Sequence, residues 1–518
     1  IDLNPFSVAI TRFRLLIAAI KWGQVRTLRL APKFHFHIEI GDSLLHGFDQ
    51  RDYLRGQSTL GLDTPQENLE GDHVYGHAYA TENLEAVNNI LARKYTVVVG
   101  NPPYITVKDA AISKLYRERF SSCSGKYALV APFCERFWAL AKPSDHTQRG
   151  GFVGLIVANS FMKREFGKKL VEAFFPKIDL THLIDTSGAY IPGHGTPTVI
   201  LFGRNRQPMN STVRAVMGIK GESATPADPA QGIVWQAILN QIDQRDSESE
   251  WVSVADIPRA TLAKHPWSIG GGGAAELKEA IEAKANEVLD KITVELGISS
   301  VTGEDEVYII ESVENKNRHK IEYSRALVTG DLVRDWSVTG LEAIWLYDSD
   351  LNLRSISDLP NTYRYLWPFR SNISKRKRFG TPMLERGLTW YEWQELYSAK
   401  LRTPLTITFP FVATHNHFVL DRGGKVFKQT APVIKLPAEA TEDDHLGLLG
   451  LLNSSTACFW LKQVCFPKDR KSGWDERSEY DGSKVSQFPL PEQRPLALAR
   501  TLDDLARQRA AHLPAALF

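Results

Sequence analysis

The sequence predicts an α/β protein: a Rossmann-like sheet, partial at its start, followed by an α+β unit. Three observations carry this. Over residues 1–205, apolar stretches alternate with helical periodicities. Those stretches are apolar throughout rather than alternating, as in open sheets covered on both faces. From about Gly297 to Pro489 the pattern changes to short strands rich in aromatic and basic residues.

The elements follow in order. Ile1–Leu3 reads as the end of a strand, and Asn4–Pro5 opens a helix with a cap residue and a proline in the first turn. "FHFHIEIGDSLL" reads as a second strand stopped at Gly41–Asp42, and "KYTVVVGNPPY" as a third. "GGFVGLIVANSF", "DLTHLIDTSG" and "TPTVILFGRN" supply three more, with a helix expected over Ala128–Ala141. Arg51–Gly76 and Ser144–Gly151 read as polar loops. Residues 206–296 form a connecting region in which Gly270–Gly273 leads into a helix over Ala274–Leu296. Residues 297–490 make the second main domain, and 491–518 a helical tail. No internal repeat or heptad pattern is evident.

Composition excludes several classes. Of 518 residues, 43% are hydrophobic and 24% charged, and the net charge is +2. A nucleic-acid surface would therefore be a local patch. Cys123, Cys134, Cys458 and Cys465 contain no C-x-x-C pair, which argues against structural zinc and a disulfide framework. No apolar run reaches membrane-spanning length, so the chain reads as cytoplasmic with no membrane partner. His35/His37 and His415/His417 place imidazoles in pairs, but no third ligand is evident, and His73/His77 sit in a polar loop; no metal is expected.

Asn101-Pro102-Pro103-Tyr104 concentrates the chemistry. The stretch ends an apolar strand, and ligands of open α/β sheets sit beyond the carboxyl ends of strands. Asp2 and Asp42 lie at such ends as well. Two prolines make a stiff, extended segment suited to holding a carbonyl at a fixed distance. For a substrate with an exocyclic amine, such as adenine N6, the Asn101 side-chain oxygen and the Pro102 carbonyl can each accept one hydrogen. Both bonds strengthen as positive charge builds on nitrogen. Tyr104 can lie against the base. A base taken from a duplex must be flipped out, and Tyr190 is the candidate for its other face.

The order Asp2, Asp42, N-P-P-Y, "IVANSF" and "YIPGHGTPTVILF" resembles the gamma group of adenine-N6 DNA methyltransferases. The resemblance implies S-adenosyl-L-methionine as cofactor. It assigns Asp2 to the ribose hydroxyls, Asp42 to the adenine amino group of the cofactor, and Tyr127 in "SGKYALVAPFCERF" to the cofactor pocket. It assigns Asn101, Pro102, Pro103 and Tyr104 to catalysis and Tyr190 to the flipped base. "IDLNPFSVAITRFRLLIAA", "LVTGDLVRDW", "FPFVATHNHFVLD" and "LGLLGLLNSSTACFWL" look like the BREX phage-defence methyltransferases and the type IIG restriction–modification enzymes. This implies double-stranded DNA as partner, other phage-defence proteins as further partners, and a DNA target-recognition role for residues 297–490. Lys375, Arg376, Lys377 and Arg378, among aromatic residues, are the expected phosphate contacts.

One motif departs from that pattern. The family's glycine-rich loop after the first strand has no counterpart, because Gly270–Gly273 lies far downstream with no apolar strand feeding it. The expectation is that the first strand and its loop lie outside this sequence. Two alternatives stay open: the methyltransferase and recognition part of a type IIG restriction enzyme, and a DNA-recognition fragment without catalysis.

Overall fold

The computed structural model describes residues 1–24, 35–47, 83–144, 149–193, 195–310, 313–378, 380–468 and 477–512. The expected loop at Arg51–Gly76, with His73 and His77, lies outside the described residues. The chain divides into two compact units, Ile1–Gly272 and Gly273–Phe518. The division falls inside the glycine run. The first unit thus extends beyond the expected boundary at residue 205.

The first unit is built on a six-stranded sheet of order β1-β2-β4-β3-β5-β6. The strands are β1 (Val97–Gly100), β2 (Phe152–Ala158), β3 (Asp179–Asp185), β4 (Thr198–Arg204), β5 (Thr212–Gly218) and β6 (Val252–Pro258). β1 and β2 are parallel, as are β3 and β5. β4 runs antiparallel between β2 and β3, and β6 antiparallel beside β5. The carboxyl ends of β1, β2, β3 and β5 therefore share one edge with the amino ends of β4 and β6. The expected strands at 97–100, 152–158, 179–185 and 198–204 are present; β5 and β6 come from the stretch read as a connection.

One large core packs Val153, Leu155, Leu183, Leu201 and Ala215 against Trp138, Phe161, Phe175 and Trp267. A smaller core sets Ile184, Val216, Val252 and Val254 against Val234 and Ile238. Helix α1 (Pro5–Trp22) begins as expected, with the Asn4 side chain accepting from the Phe6 and Ser7 amides. The expected second strand is reduced to one parallel bridge, Asp2 to Ile40. Three further helices frame the edge: α2 (Leu84–Ala92), α3 (Ala110–Arg119) and α4 (Val130–Leu140).

The second unit is α+β. One four-stranded sheet joins Ile309–Ile310, Leu341–Ile344, Ser324–Val328 and Lys425–Phe427. Another joins Val419–Asp421, Thr406–Thr408, Val433–Lys435 and Glu295–Gly297. The expected helix over Ala274–Leu296 ends at Ala283. Its second half is diverted because the Asn286 and Leu289 amides donate to the Leu490 and Phe488 carbonyls. The helix Leu496–Ala510 packs rather than trails: Ala499 is fully buried, and Asp503 receives Arg422 at 2.6 Å. Among the described residues no helix is long and apolar enough to cross a membrane.

Candidate active site

The glycine that ends β1 has a steric reason. A Cβ on Gly100 would stand 2.6 Å from the Phe137 ring of α4. A larger residue there would have to push the Phe137 ring aside, so glycine lets the strand run close to the helix and deliver Asn101 at its tip. Pro102 is buried, Asn101 and Pro103 are exposed, and Tyr104 is half-buried. The Tyr104 hydroxyl reaches back 3.4 Å to the Ile156 carbonyl of β2, and desolvation raises its pKa, keeping the phenol neutral.

The neighbouring strand ends complete the edge. Asn159 follows β2; its side-chain amide donates to Ser187 Oγ at 3.1 Å and its backbone amide to the Pro197 carbonyl at 3.0 Å. Ser187 follows β3 and donates its amide to Asp185 Oδ1 at 2.9 Å. Burial pushes the Asp185 carboxyl above the usual range. Tyr190, half-buried, lies in the segment between β3 and β4. Thus N-P-P-Y, Asn159, Asp185 and the Tyr190 segment sit on one edge of one sheet.

Asp42 is tied to the same body. Its Oδ1 accepts the Leu44 and Leu45 amides at 2.7 and 3.2 Å, and its Oδ2 accepts the Tyr116 hydroxyl at 2.7 Å. Tyr116 belongs to α3, the helix that follows N-P-P-Y and is capped by Asp109. Arg136, buried in α4, donates to the Ser43 and His46 carbonyls at 2.8 and 2.7 Å, and burial lowers its pKa to about 10. The Asp42 amide donates to His46 Nδ1 at 3.1 Å, and burial lowers the His46 pKa. Asp2, exposed, caps the Asn4 amide at 2.8 Å, and its carbonyl accepts the Gly41 amide. The two acids therefore stand at the ends of adjacent chain segments.

Sequence reasoning missed Tyr116, Arg136 and Asn159. The detectable signal was Arg136, one cation inside the apolar run "VAPFCERFWAL". Tyr127 is 1% exposed, packs with Leu44, Tyr116, Phe120 and Leu129, and donates to the Ser113 carbonyl at 2.9 Å. It packs against the segment that follows Asp42.

The basic run in the second unit separates into two kinds of residue. Arg376 is buried, and its guanidinium donates to the Ile373, Thr302, Trp390 and Glu392 carbonyls. Arg378 pairs with Glu395 at 2.6 Å and donates to the Tyr397 hydroxyl at 2.8 Å. Of the four expected phosphate contacts, Arg376 is therefore turned into the protein and Arg378 is half-buried against Glu395, while Lys375 and Lys377 are exposed. Close to them in sequence, Arg370 covers the Trp367 ring at 4.7 Å, and Tyr363 and Trp390 flank Trp367 at 5.2 and 6.2 Å. Trp367 is 46% exposed.

The two histidine pairs sit in different surroundings. His35 and His37 are exposed. His415 and His417 meet Asp335, the third group that spacing alone did not reveal.

An open α/β sheet with Asn101–Tyr104 and Asn159 at one edge is the class these features define. Residues 1–191 match the family described as Eco57I restriction-modification methylase. The chain is 44% identical, over its full length, to the adenine-specific methyltransferase PglX of Streptomyces coelicolor, and covers 44% of that protein. It is 23% identical over 64% of its length to the type II methyltransferase M.BstVI of Geobacillus stearothermophilus, covering 57% of it. The chain thus spans about half the length of these curated relatives. Among solved structures, the fold is similar to the type IIL restriction-modification enzyme MmeI, determined in complex with DNA. That match has a TM-score of 0.51 and 15% identity, over 81% of this chain and 50% of that one. A nuclease-deletion mutant of the type ISP enzyme LlaGI, determined with a DNA substrate mimic, matches with a TM-score of 0.50 and 13% identity. It covers 97% of this chain and 40% of that one.

Proposed function

We propose that this chain carries the catalytic and recognition parts of a site-specific DNA methyltransferase. It transfers a methyl group from S-adenosylmethionine to adenine N6 in double-stranded DNA, with the adenine flipped out, and serves in phage defence. The observation that carries the reading is the shared edge on which Asn101–Tyr104 stands beside Asn159 and the Tyr190 segment, with Asp42 fastened to the next helix.

The donor set fits the adenosine part of the cofactor. Both carboxylates are acceptors, and Asp42 Oδ2 retains a second lone pair beyond the Tyr116 bond. Asp42 would hold the cofactor's adenine amine and Asp2 its ribose hydroxyls. The described residues include no glycine loop for the methionine part. When bound, S-adenosylmethionine supplies an electrophilic methyl group on sulfur. Asn101 Oδ1 and the Pro102 carbonyl each accept one N6 hydrogen, which holds the amine in line and stabilises the charge that develops on it. With the methyl transferred and the cofactor left as its neutral thioether, the N6 proton held by Asn101 or the Pro102 carbonyl would pass to water. Tyr104 and Tyr190 stack on the extruded base, each worth about 1–3 kcal/mol, which offsets a flipping cost of a few kcal/mol. Lys375 and Lys377 meet phosphates in the second unit.

Filter binding to duplex DNA, run beside transfer of labelled methyl from the cofactor, tests this. Binding with transfer to adenine supports the proposal. Binding without transfer makes the chain a recognition module, and cleavage with magnesium makes it part of a restriction enzyme.

A further inference from the structure

In the second unit, three potential ligands from two distant parts of the chain converge. Asp335 occupies the two-residue turn between the strands Val333–Arg334 and Ser337–Val338. His415 and His417 lie on the segment between Val412–Ala413 and Val419–Asp421. One potential ligand atom from each of the three lies within 4.8 Å of the others. The imidazole centroids are 4.1 Å apart, and His417 Nδ1 is 3.6 Å from Asp335 Oδ1.

We propose that Asp335, His415 and His417 bind one divalent transition-metal ion, zinc or a metal of its kind, which staples the 335 turn to the 415–417 segment. Two imidazoles and one carboxylate select such a metal over magnesium or calcium, which prefer all-oxygen sites. Around tetrahedral zinc, with bonds of about 2.0–2.2 Å, ligand atoms stand roughly 3.3–3.5 Å apart. The His417 Nδ1–Asp335 Oδ1 distance of 3.6 Å is already close to that, and the Asp335 side chain is 66% exposed.

The supports of the site do not themselves ligate. Asn416 donates to the Leu452 and Ser454 carbonyls at 2.7 and 3.1 Å, and Asn453 accepts the Phe418 amide at 2.8 Å. Arg509 donates to the Asp335 carbonyl at 2.6 Å and to Ser337 Oγ at 3.1 Å. Asp335 and Trp336 both have positive φ, 48° and 64°, in a turn that ordinarily takes Asn-Gly. His415 Nδ1 lies 3.0 Å from Thr414 Oγ1. In the tautomer that donates there, Nε2 keeps its lone pair, as a metal-bound histidine requires. His417 Nδ1 faces the carboxylate and accepts the Asp335 amide at 3.3 Å, a long bond that a cation would replace. The nearby Arg334 is turned away, donating to the Gly330 and Val333 carbonyls. Three protein ligands leave a fourth position for water.

The test is titration of the full chain with Co²⁺, read by its visible absorption and by displacement with Zn²⁺. The expected result is one equivalent bound with the intense spectrum of a four-coordinate site, lost at least about tenfold in affinity in both His415→Ala and Asp335→Ala. These two positions are more exposed than His417, and circular dichroism checks that each variant is folded. Absence of stoichiometric uptake by the parent chain, or unchanged uptake in either folded variant, overturns the proposal.

Discussion

The Phe137 ring of α4 occupies the space that a side chain on Gly100 would need, with its nearest atom 2.6 Å from the position of a Cβ. The strand that carries the Asn101–Tyr104 tip is thus seated against α4. Gly100→Ala should push β1 away from α4 and displace Asn101. A loss of about 1–3 kcal/mol in urea unfolding is expected, together with reduced methyl transfer. Unchanged stability would mean that Phe137 yields freely.

Tyr116 holds Asp42 from the helix that follows N-P-P-Y. Tyr116→Phe removes one donor from a buried carboxylate and keeps the ring. The expected cost is about 1–3 kcal/mol of stability, with weaker cofactor binding measured by calorimetry. Cofactor affinity equal to that of the parent would detach Asp42 from the proposed pocket.

Arg376 and its neighbours should behave oppositely. Arg376→Ala removes the guanidinium that donates to the Ile373, Thr302, Trp390 and Glu392 carbonyls and lies 5.2 Å from the Tyr308 ring. It should destabilise the protein by about 2–4 kcal/mol. Replacing Lys375 and Lys377 with alanine should leave stability within about 0.5 kcal/mol and lower the salt slope of DNA binding by about two units. An unchanged slope would remove both lysines from the interface.

Lys435 gives the second unit a pH dependence. Its ammonium is 1% exposed and donates to the Thr403 and Leu405 carbonyls and to Thr406 Oγ1. Desolvation lowers its pKa from 10.5 to about 8, against the attraction of Asp421. Between those values the unfolded chain binds more protons than the folded one, so this group's contribution to stability climbs as pH rises. The stability of the parent minus that of Lys435→Met should rise from pH 8 toward pH 10. A difference that stays flat would contradict the shift.

Much of the first unit was legible because its signals are local. The Asn4–Pro5 cap, the apolar strands and the N-P-P-Y tip each show in a few adjacent residues. What was not legible depends on distant partners. The antiparallel place of β4 between β2 and β3 is a pairing choice that apolar runs do not encode. β5 and β6 lie in a stretch that read as short strands mixed with polar segments, where nothing local shows that they extend the first sheet. The helix after Gly273 stops early because Leu490 and Phe488 claim amides that periodicity would assign to the helix. Arg376 looked like its exposed neighbours until the fold surrounded it with carbonyls, and Asp335 lies far in sequence from the histidines it faces.

The central claim is that Asn101 and Pro102 receive the amine of an extruded adenine. Mass spectrometry of DNA nucleosides after incubation with S-adenosylmethionine tests it most directly, comparing the protein with its Asn101→Ala variant at equal DNA occupancy. The account predicts N6-methyladenine from the protein and a loss of at least about a hundredfold in the variant. Comparable N6-methyladenine from both, or methylation of cytosine instead, would contradict it.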